Sequence, residues 1–199
     1  MKREKFDQEL NDIREHLIGS RDARLVLGEV TQLMEKVVSD SFSEAHPLLE
    51  ASGSKVALLA TGGFGRRELH PHSDVDIILL FENPLLSSDE KFLRAFLHPL
   101  WDLGLNIGQH VLQLRHYDFE LRNLELATAL LDIRFIAGEH TIFQYFKSEE
   151  LPRVLLRRKK EILKALIASN EERHKRFNET IYQLEPDIKD APGALRDLL

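Results

Sequence analysis

The chain reads as an α/β (α+β) fold, with a small mixed sheet, flanking helices and a helical C-terminal segment. Three observations predict it. Apolar residues recur at helical spacing through the first fifty positions. Two short, continuous apolar runs, 56–60 and 75–81, then bracket a loop rich in glycine and charge. From Glu120 onward the helical spacing returns. Strand, loop, strand, helix, strand is the order of a layered α/β core.

The first helix rests on Phe6, Leu10, Ile13 and Leu17, and Gly19-Ser20 breaks it. Ser20 is placed to cap a second helix, whose stripe is Leu25, Leu27, Val30, Leu33, Met34, Val37 and Val38. Pro47 and Ser52-Gly53-Ser54 close this region. Val56 to Ala60 has the pattern of a strand buried on both faces, and so has Val75 to Phe81, apolar except for Asp76. A helix is expected from about Asp89 to Leu103, burying Phe92, Leu93, Phe96, Leu97, Leu100 and Trp101, with Pro99 kinking it. Asn106 to Leu114 gives a third strand. Leu121, Leu124, Ala127, Leu130 and Leu131 predict an amphipathic helix running to Ile136 before Gly138, and a long helix follows from Pro152 to Tyr182. Asp190-Ala191-Pro192-Gly193 then reads as a turn into a new helix that stops after about two turns, as if the chain were cut inside a longer protein. The expected organisation is a helical segment over 1–52, an α/β core over 53–118 and a helical region over 119–199.

Composition narrows the function. The net charge of −6 argues against a protein that grips nucleic acid through its overall charge. With no cysteine, disulfides, thiolate metal sites and thiol catalysis are excluded. The charged start, Met1 to Lys5, leads into no apolar run of signal-peptide type, and no stretch approaches the ~18–20 apolar residues of a membrane span. The expectation is a cytoplasmic chain without a membrane partner.

Chemistry concentrates between residues 62 and 76. Asp74 and Asp76 flank Val75 at the start of the second strand, and residues two apart on a strand share a face. Two such charges ~4 Å apart repel by about 4 kcal/mol at an effective dielectric near 20. They stay ionised together only around a cation, and hard oxygen donors suit Mg²⁺. Asp76 also sits inside an apolar run, where an unpartnered charge would be costly. Gly62-Gly63 follows the first strand directly, and glycine lets backbone N–H groups approach an anion. The two histidines of His70-Pro71-His72 are read as solvent-facing. The basic run Arg153, Arg157, Arg158, Lys159, Lys160 and Lys164 is read as a solvated helix face, and Arg134 as the partner of a core carboxylate.

The stretch Gly62-Gly63-Phe64-Gly65-Arg66-Arg67-Glu68-Leu69-His70-Pro71-His72-Ser73-Asp74-Val75-Asp76 resembles the signature of the DNA polymerase beta-like nucleotidyltransferase superfamily. Within it the chain is most similar to bacterial protein-PII uridylyltransferases. Leu100-Trp101-Asp102-Leu103-Gly104-Leu105, the segment from Ala127 to Arg134, Leu184 to Lys189 and Pro192 to Leu198 resemble that family in the same order. The resemblance implies a sheet of nucleotidyltransferase type and a nucleotidyltransferase core over 53–118. It also implies nucleotide binding by Gly62, Gly63, Arg66 and Ser73, Mg²⁺ held by the catalytic pair Asp74 and Asp76, and UMP passed from UTP to a tyrosine of the nitrogen-signalling protein PII.

The chain departs from the family pattern where a third acidic residue is usual. That position falls on Asn106, a neutral amide that cannot act as a general base and is a weaker ligand for Mg²⁺. His110 lies on the same strand face and offers another base. Gln109-His110 follows Gly108 where the family has His-Ser, and Ala194 replaces a usual glycine. Two rival readings therefore stand beside the transferase. One is a nucleotide-binding regulatory module with weakened chemistry; the other is a nucleotidyltransferase with a different acceptor.

Overall fold

The computed structural model describes residues 2–20, 22–114, 124–177 and 187–198. The chain divides into two compact units, residues 1–150 and 151–199.

Helix α1 (Arg3–Ser20) and helix α2 (Ala23–Ser52) open the first unit. The cap of α2 is Asp22, not Ser20: its carboxylate accepts from the N–H groups of Arg24 and Leu25 at 3.0 and 3.4 Å. Pro47 does not end α2 either. Ala45 and Leu49, on either side of it, are 2% and 1% exposed, and the helix closes only at Gly53 in the left-handed region. A proline in a helix costs about 3 kcal/mol. Full burial of one leucine recovers about 1.5–3 kcal/mol, so the packed stripe carries the helix through.

Strands β1 (Val56–Ala60), β2 (Val75–Phe81), β3 (Ile107–Gln113) and β4 (Arg134–Gly138) form one mixed sheet in the order β3-β2-β1-β4. β1 and β2 pair antiparallel from Val56↔Phe81 to Ala60↔Ile77, and β2 and β3 run parallel from Val75↔Ile107 to Phe81↔Gln113. The short α3 (Gly62–Gly65) follows β1, and α4 (Asp89–Asp102) connects β2 to β3. Val56, Leu58, Ala60, Val75, Ile77, Leu79 and Phe81 share one core with the apolar stripes of α1, α2 and α4. Phe42 of α2 meets Phe92 and Phe96 of α4 edge-on, with centroids 5.5 and 5.8 Å apart. Trp101 departs from the expected buried stripe of α4. It is 45% exposed at the end of the helix.

β4 corrects the expectation of a helix as far as Ile136. Helix α5 (Leu124–Ala129) and a 3₁₀ turn (Leu130–Asp132) stop short, and the chain then extends along β1 from Ala60↔Arg134 to Ala57↔Gly138. The physical reason lies in β1, whose five residues are all at most 2% exposed. Without β4, one edge of this buried strand would lack hydrogen-bond partners, at about 1–3 kcal/mol for each unmet group. Gly138 has φ +88°, and a Cβ there would overlap the carbonyl oxygen of Val56. Helix α6 (His140–Tyr145) packs against β1 and β4, and a π-turn (Phe146–Glu150) that packs on α6 completes the unit. The expected helix positions between Glu120 and Asn123 lie outside the described residues.

The second unit holds α7 (Leu151–Arg176) and α8 (Leu195–Leu198). The expected extension of α7 to Tyr182 lies outside the described residues. The turn before α8 is closed by Asp187, whose carboxylate accepts from the N–H groups of Lys189 and Asp190, each at 2.8 Å. Asp197 of α8 pairs with Arg173 and His174 of α7 and accepts from the Gly193 N–H. The Arg173 guanidinium, then the Gly193 amide and His174, hold its carboxyl well below the usual carboxylate range. Among the described residues, no helix is long and apolar enough to cross a membrane.

Candidate active site

The two carboxylates project where β2 begins. Asp74 precedes the strand and is exposed, while Asp76 is half-buried one pleat further on. Strand alternation gives them the same face. Asp76 lies between two glycines on neighbouring elements. Its Oδ2 is 3.4 Å from where a Cβ on Gly62 would stand, and a Cβ on Gly108 would overlap its Oδ1. Gly108 is the register partner of Asp76 on β3, so a side chain there would displace the carboxylate. In the sequence Gly108 stands only as the first residue of Gly108-Gln109-His110, with no role of its own. Its signal was position: a glycine inside a strand packs nothing itself and often marks a close approach by another group.

Backbone geometry holds the glycine turn beside the pair. The Thr61 N–H donates to the Asp76 carbonyl at 3.1 Å, which fixes the start of α3 to β2. Gly62 adopts φ +57°, in the left-handed region that favours glycine. In this four-residue turn the Gly65 N–H donates to the Thr61 carbonyl at 2.9 Å, and the amides ahead of it, of Gly62 and Gly63, are the candidates to meet a ligand. Phe64 is fully buried and anchors the turn from below. Further along the loop, Leu69 is buried and its N–H donates to the Thr31 hydroxyl of α2 at 3.2 Å.

The other flank of this turn is fastened by residues 129–134. The Thr61 hydroxyl donates to the Ala129 carbonyl. Arg134 donates to the Phe64 and Gly65 carbonyls at 3.0 and 3.2 Å and to Glu35 at 2.8 Å, with its guanidinium 5.6 Å from the Phe64 ring centroid. It does pair with a carboxylate, as expected, but from a strand, and its remaining donors secure the glycine turn. Arg66, expected on phosphate, donates to Asp132 at 2.5 Å and to Glu68 at 3.1 Å. Burial works against its charge, yet these two partners outweigh that and raise its pKa. Ser73 is exposed in the turn just before Asp74, and Gly63 faces the Glu68 carbonyl of its own loop. His70 and His72 are both exposed.

On the β3 side, the Asn106 carbonyl accepts from the Val75 N–H at 2.8 Å, which sets Asn106 level with Asp74. His110 is level with Ile78 instead, farther along the sheet from the carboxylates. A shallow, wide-mouthed depression of about 420 Å³ opens here, lined by Asp74, Trp101, Leu105, Asn106, Ile107 and Gly108. Among the described residues, no three His, Cys, Asp or Glu side chains converge as a complete metal cage. Asp74 and Asp76 form an all-oxygen, two-carboxylate donor set. That fits Mg²⁺, which takes one or two protein carboxylates and completes its shell with substrate phosphates and water.

Two family models match the chain. The model described as putative nucleotidyltransferase DUF294 matches residues 8–106, which include every site residue from Gly62 to Asn106. The model described as GlnD PII-uridylyltransferase matches residues 161–199. A bifunctional uridylyltransferase/uridylyl-removing enzyme of Nitrobacter hamburgensis is 30% identical over 188 residues, covering 92% of this chain and 20% of that protein. The Vibrio campbellii protein of the same name is 33% identical, with 89% and 23% covered. The chain is similar over most of its length to the PII-uridylyltransferases. A third family member, from Photobacterium profundum, is 40% identical over 147 residues, covering 72% of this chain and 16% of its own length. The chain thus spans about a fifth of the length of the curated PII-uridylyltransferase relatives it matches. Among solved structures, a chain from a toxin–antitoxin complex with AMP-PNP aligns over 71% of this chain and 98% of its own, with a TM-score of 0.34 and 12% identity, too remote to carry an argument.

Proposed function

We propose that this site transfers UMP from UTP to a tyrosine hydroxyl of a PII signal protein in the cytoplasm, with Asp74 and Asp76 holding Mg²⁺. The observation that carries the reading is the placement of the Asp76 carboxylate between Gly62 of the glycine turn and Gly108 of β3, with Asp74 on the same strand face. The family's printed name supplies the nucleotide and the partner.

In this reading the Gly62-Gly63 turn receives the triphosphate through its backbone, which Arg134 and Asp132 keep in place. Arg66 and Ser73 lie at its margin. Bound Mg²⁺ supplies charge neutralisation at the phosphates and aligns the attacking and leaving oxygens. The acceptor oxygen forms a bond to the α-phosphorus, the bridging bond to the β-phosphate breaks, and pyrophosphate departs. The hydroxyl proton passes to solvent water, because the Asn106 amide has no basic site to take it. The chain's own contribution is position and a fixed field more than covalent chemistry.

One observation favours a second reading. Asn106 stands level with Asp74, where the family resemblance places an acid. With a neutral group there, the domain serves as a nucleotide-binding regulatory module with slow transfer.

Calorimetric titration of UTP with and without Mg²⁺ tests the site that both readings share. In Asp74→Asn/Asp76→Asn, the Mg²⁺-dependent affinity should fall at least tenfold, about 1.4 kcal/mol. An unchanged affinity in this double variant would place the nucleotide elsewhere.

A further inference from the structure

The loop between the glycine turn and the carboxylate pair holds two adjacent arginines in different states. Arg66 is committed: its guanidinium donates to Asp132 and Glu68. Arg67 is exposed, and its side chain meets no ion-pair partner among the described residues. It is also the one described non-glycine residue with positive φ, at 63°. The left-handed region crowds a Cβ against the backbone, and arginine has no short polar side chain to offset that locally. An uncommitted cation held on a strained backbone beside a candidate site points to a ligand.

The surrounding backbone fixes where this residue stands. The Arg67 N–H donates to the Phe64 carbonyl at 3.4 Å, and the Glu68 N–H donates to the Gly63 carbonyl at 2.8 Å. The Glu68 carbonyl in turn lies 3.4 Å from where a Cβ on Gly63 would stand, whereas Asp76 lies against Gly62. Asp76, Gly62, Gly63 and residues 67–68 therefore form a row that leads away from the carboxylates. Charge gives that row a use. Asp74 and Asp76 balance one Mg²⁺ and no more, so phosphates lying farther out need a cation from the protein.

We infer that Arg67 is a specificity-determining residue: it contacts the terminal phosphate of the nucleotide and makes the site prefer a nucleoside triphosphate to the diphosphate. The phosphate contact expected of Arg66 passes to its neighbour. Arg66, tied to Asp132 and Glu68, keeps the loop in the shape that presents Arg67. The inference rests on the transfer reading above and deepens it by naming the side chain that selects the triphosphate.

Two variants separate charge from backbone. Arg67→Asn removes the charge, and asparagine tolerates the left-handed region better than arginine does. Arg67→Lys keeps the charge. The full chain and each variant are titrated calorimetrically with UTP, UDP and inorganic pyrophosphate in the presence of Mg²⁺, and their thermal midpoints are recorded. In Arg67→Asn the affinities for UTP and pyrophosphate should fall at least tenfold, about 1.4 kcal/mol, while that for UDP changes by less than about twofold. The thermal midpoint should equal or exceed the parent's, and Arg67→Lys should recover most of the UTP affinity. Equal losses for UTP and UDP would overturn the inference, and so would a loss that Arg67→Lys shares in full. If the parent binds Mg²⁺–UTP and Arg67→Asn binds it equally well, this inference alone falls. A parent that binds no Mg²⁺–UTP would take the transfer reading down with it.

Discussion

On the β1 side of Asp76 the backbone is fastened by charged and polar side chains: Arg134 holds the Phe64 and Gly65 carbonyls, Arg66 meets Asp132, and the Thr61 hydroxyl reaches the Ala129 carbonyl. On the β3 side the corresponding space is open, and the groups around it are Asn106, Gly108 and the exposed indole of Trp101. The two flanks differ in what their glycines meet. A Cβ on Gly65 would overlap the backbone carbonyl of Asp132, whereas a Cβ on Gly108 would overlap only the carboxylate tip of Asp76. The fastened side keeps its shape because backbone abuts backbone. The open side can change without disturbing the fold, and substitutions there act on chemistry first.

The sharpest way to separate the flanks is Asn106→Asp. Restoring an acid level with Asp74 should raise UMP transfer to purified PII about 100-fold, or about 2.7 kcal/mol of barrier, within the range general-base help supplies. Thermal stability should stay near that of the parent. Label transfer from UTP measures it, and robust parental transfer that drops in the variant would mean the base lies elsewhere. Next in size is Gly65→Ala, which forces a methyl into backbone. It should destabilise the fold by about 2 kcal/mol in urea unfolding, as overpacking does. A change within experimental scatter would show that the fastened flank yields. The smallest effect is expected for Gly108→Ala. Its circular dichroism and unfolding midpoint should match the parent while Mg²⁺–UTP affinity falls about tenfold, because only the Asp76 side chain has to move. Equal losses of stability at Gly65 and Gly108 would erase the distinction between the two sides.

Much of the site was legible because its signals are local. Asp74 and Asp76 share a face by strand alternation, and the apolar run around Asp76 made a solitary charge implausible there. Gly62-Gly63 directly after an apolar run announced a turn of unusual backbone, and Gly62 does adopt a left-handed φ. Arg66 was harder, since its sequence neighbours gave no hint of Asp132 across the loop. Trp101 fell on the buried stripe by spacing alone. Its exposure depends on where α4 ends relative to β3, which spacing along one helix does not encode.

The sequence by itself determined β1, β2, α1, α2 and α4, because continuous apolar runs and 3.6-residue stripes each find only one way to bury their side chains. It also determined the carboxylate pair and the glycine turn that follows β1. Tertiary structure alone decided β4. Residues 133–137 satisfy a helical stripe about as well as a strand, and the choice between them belongs to the open edge of β1, more than 70 residues away in the chain. Pairing that buried edge satisfies backbone groups that no local interaction could reach, and it brings Arg134 to the glycine turn. Arg134, expected on a helix as the partner of a core carboxylate, keeps that partner in Glu35 and thereby also became the clasp of the site.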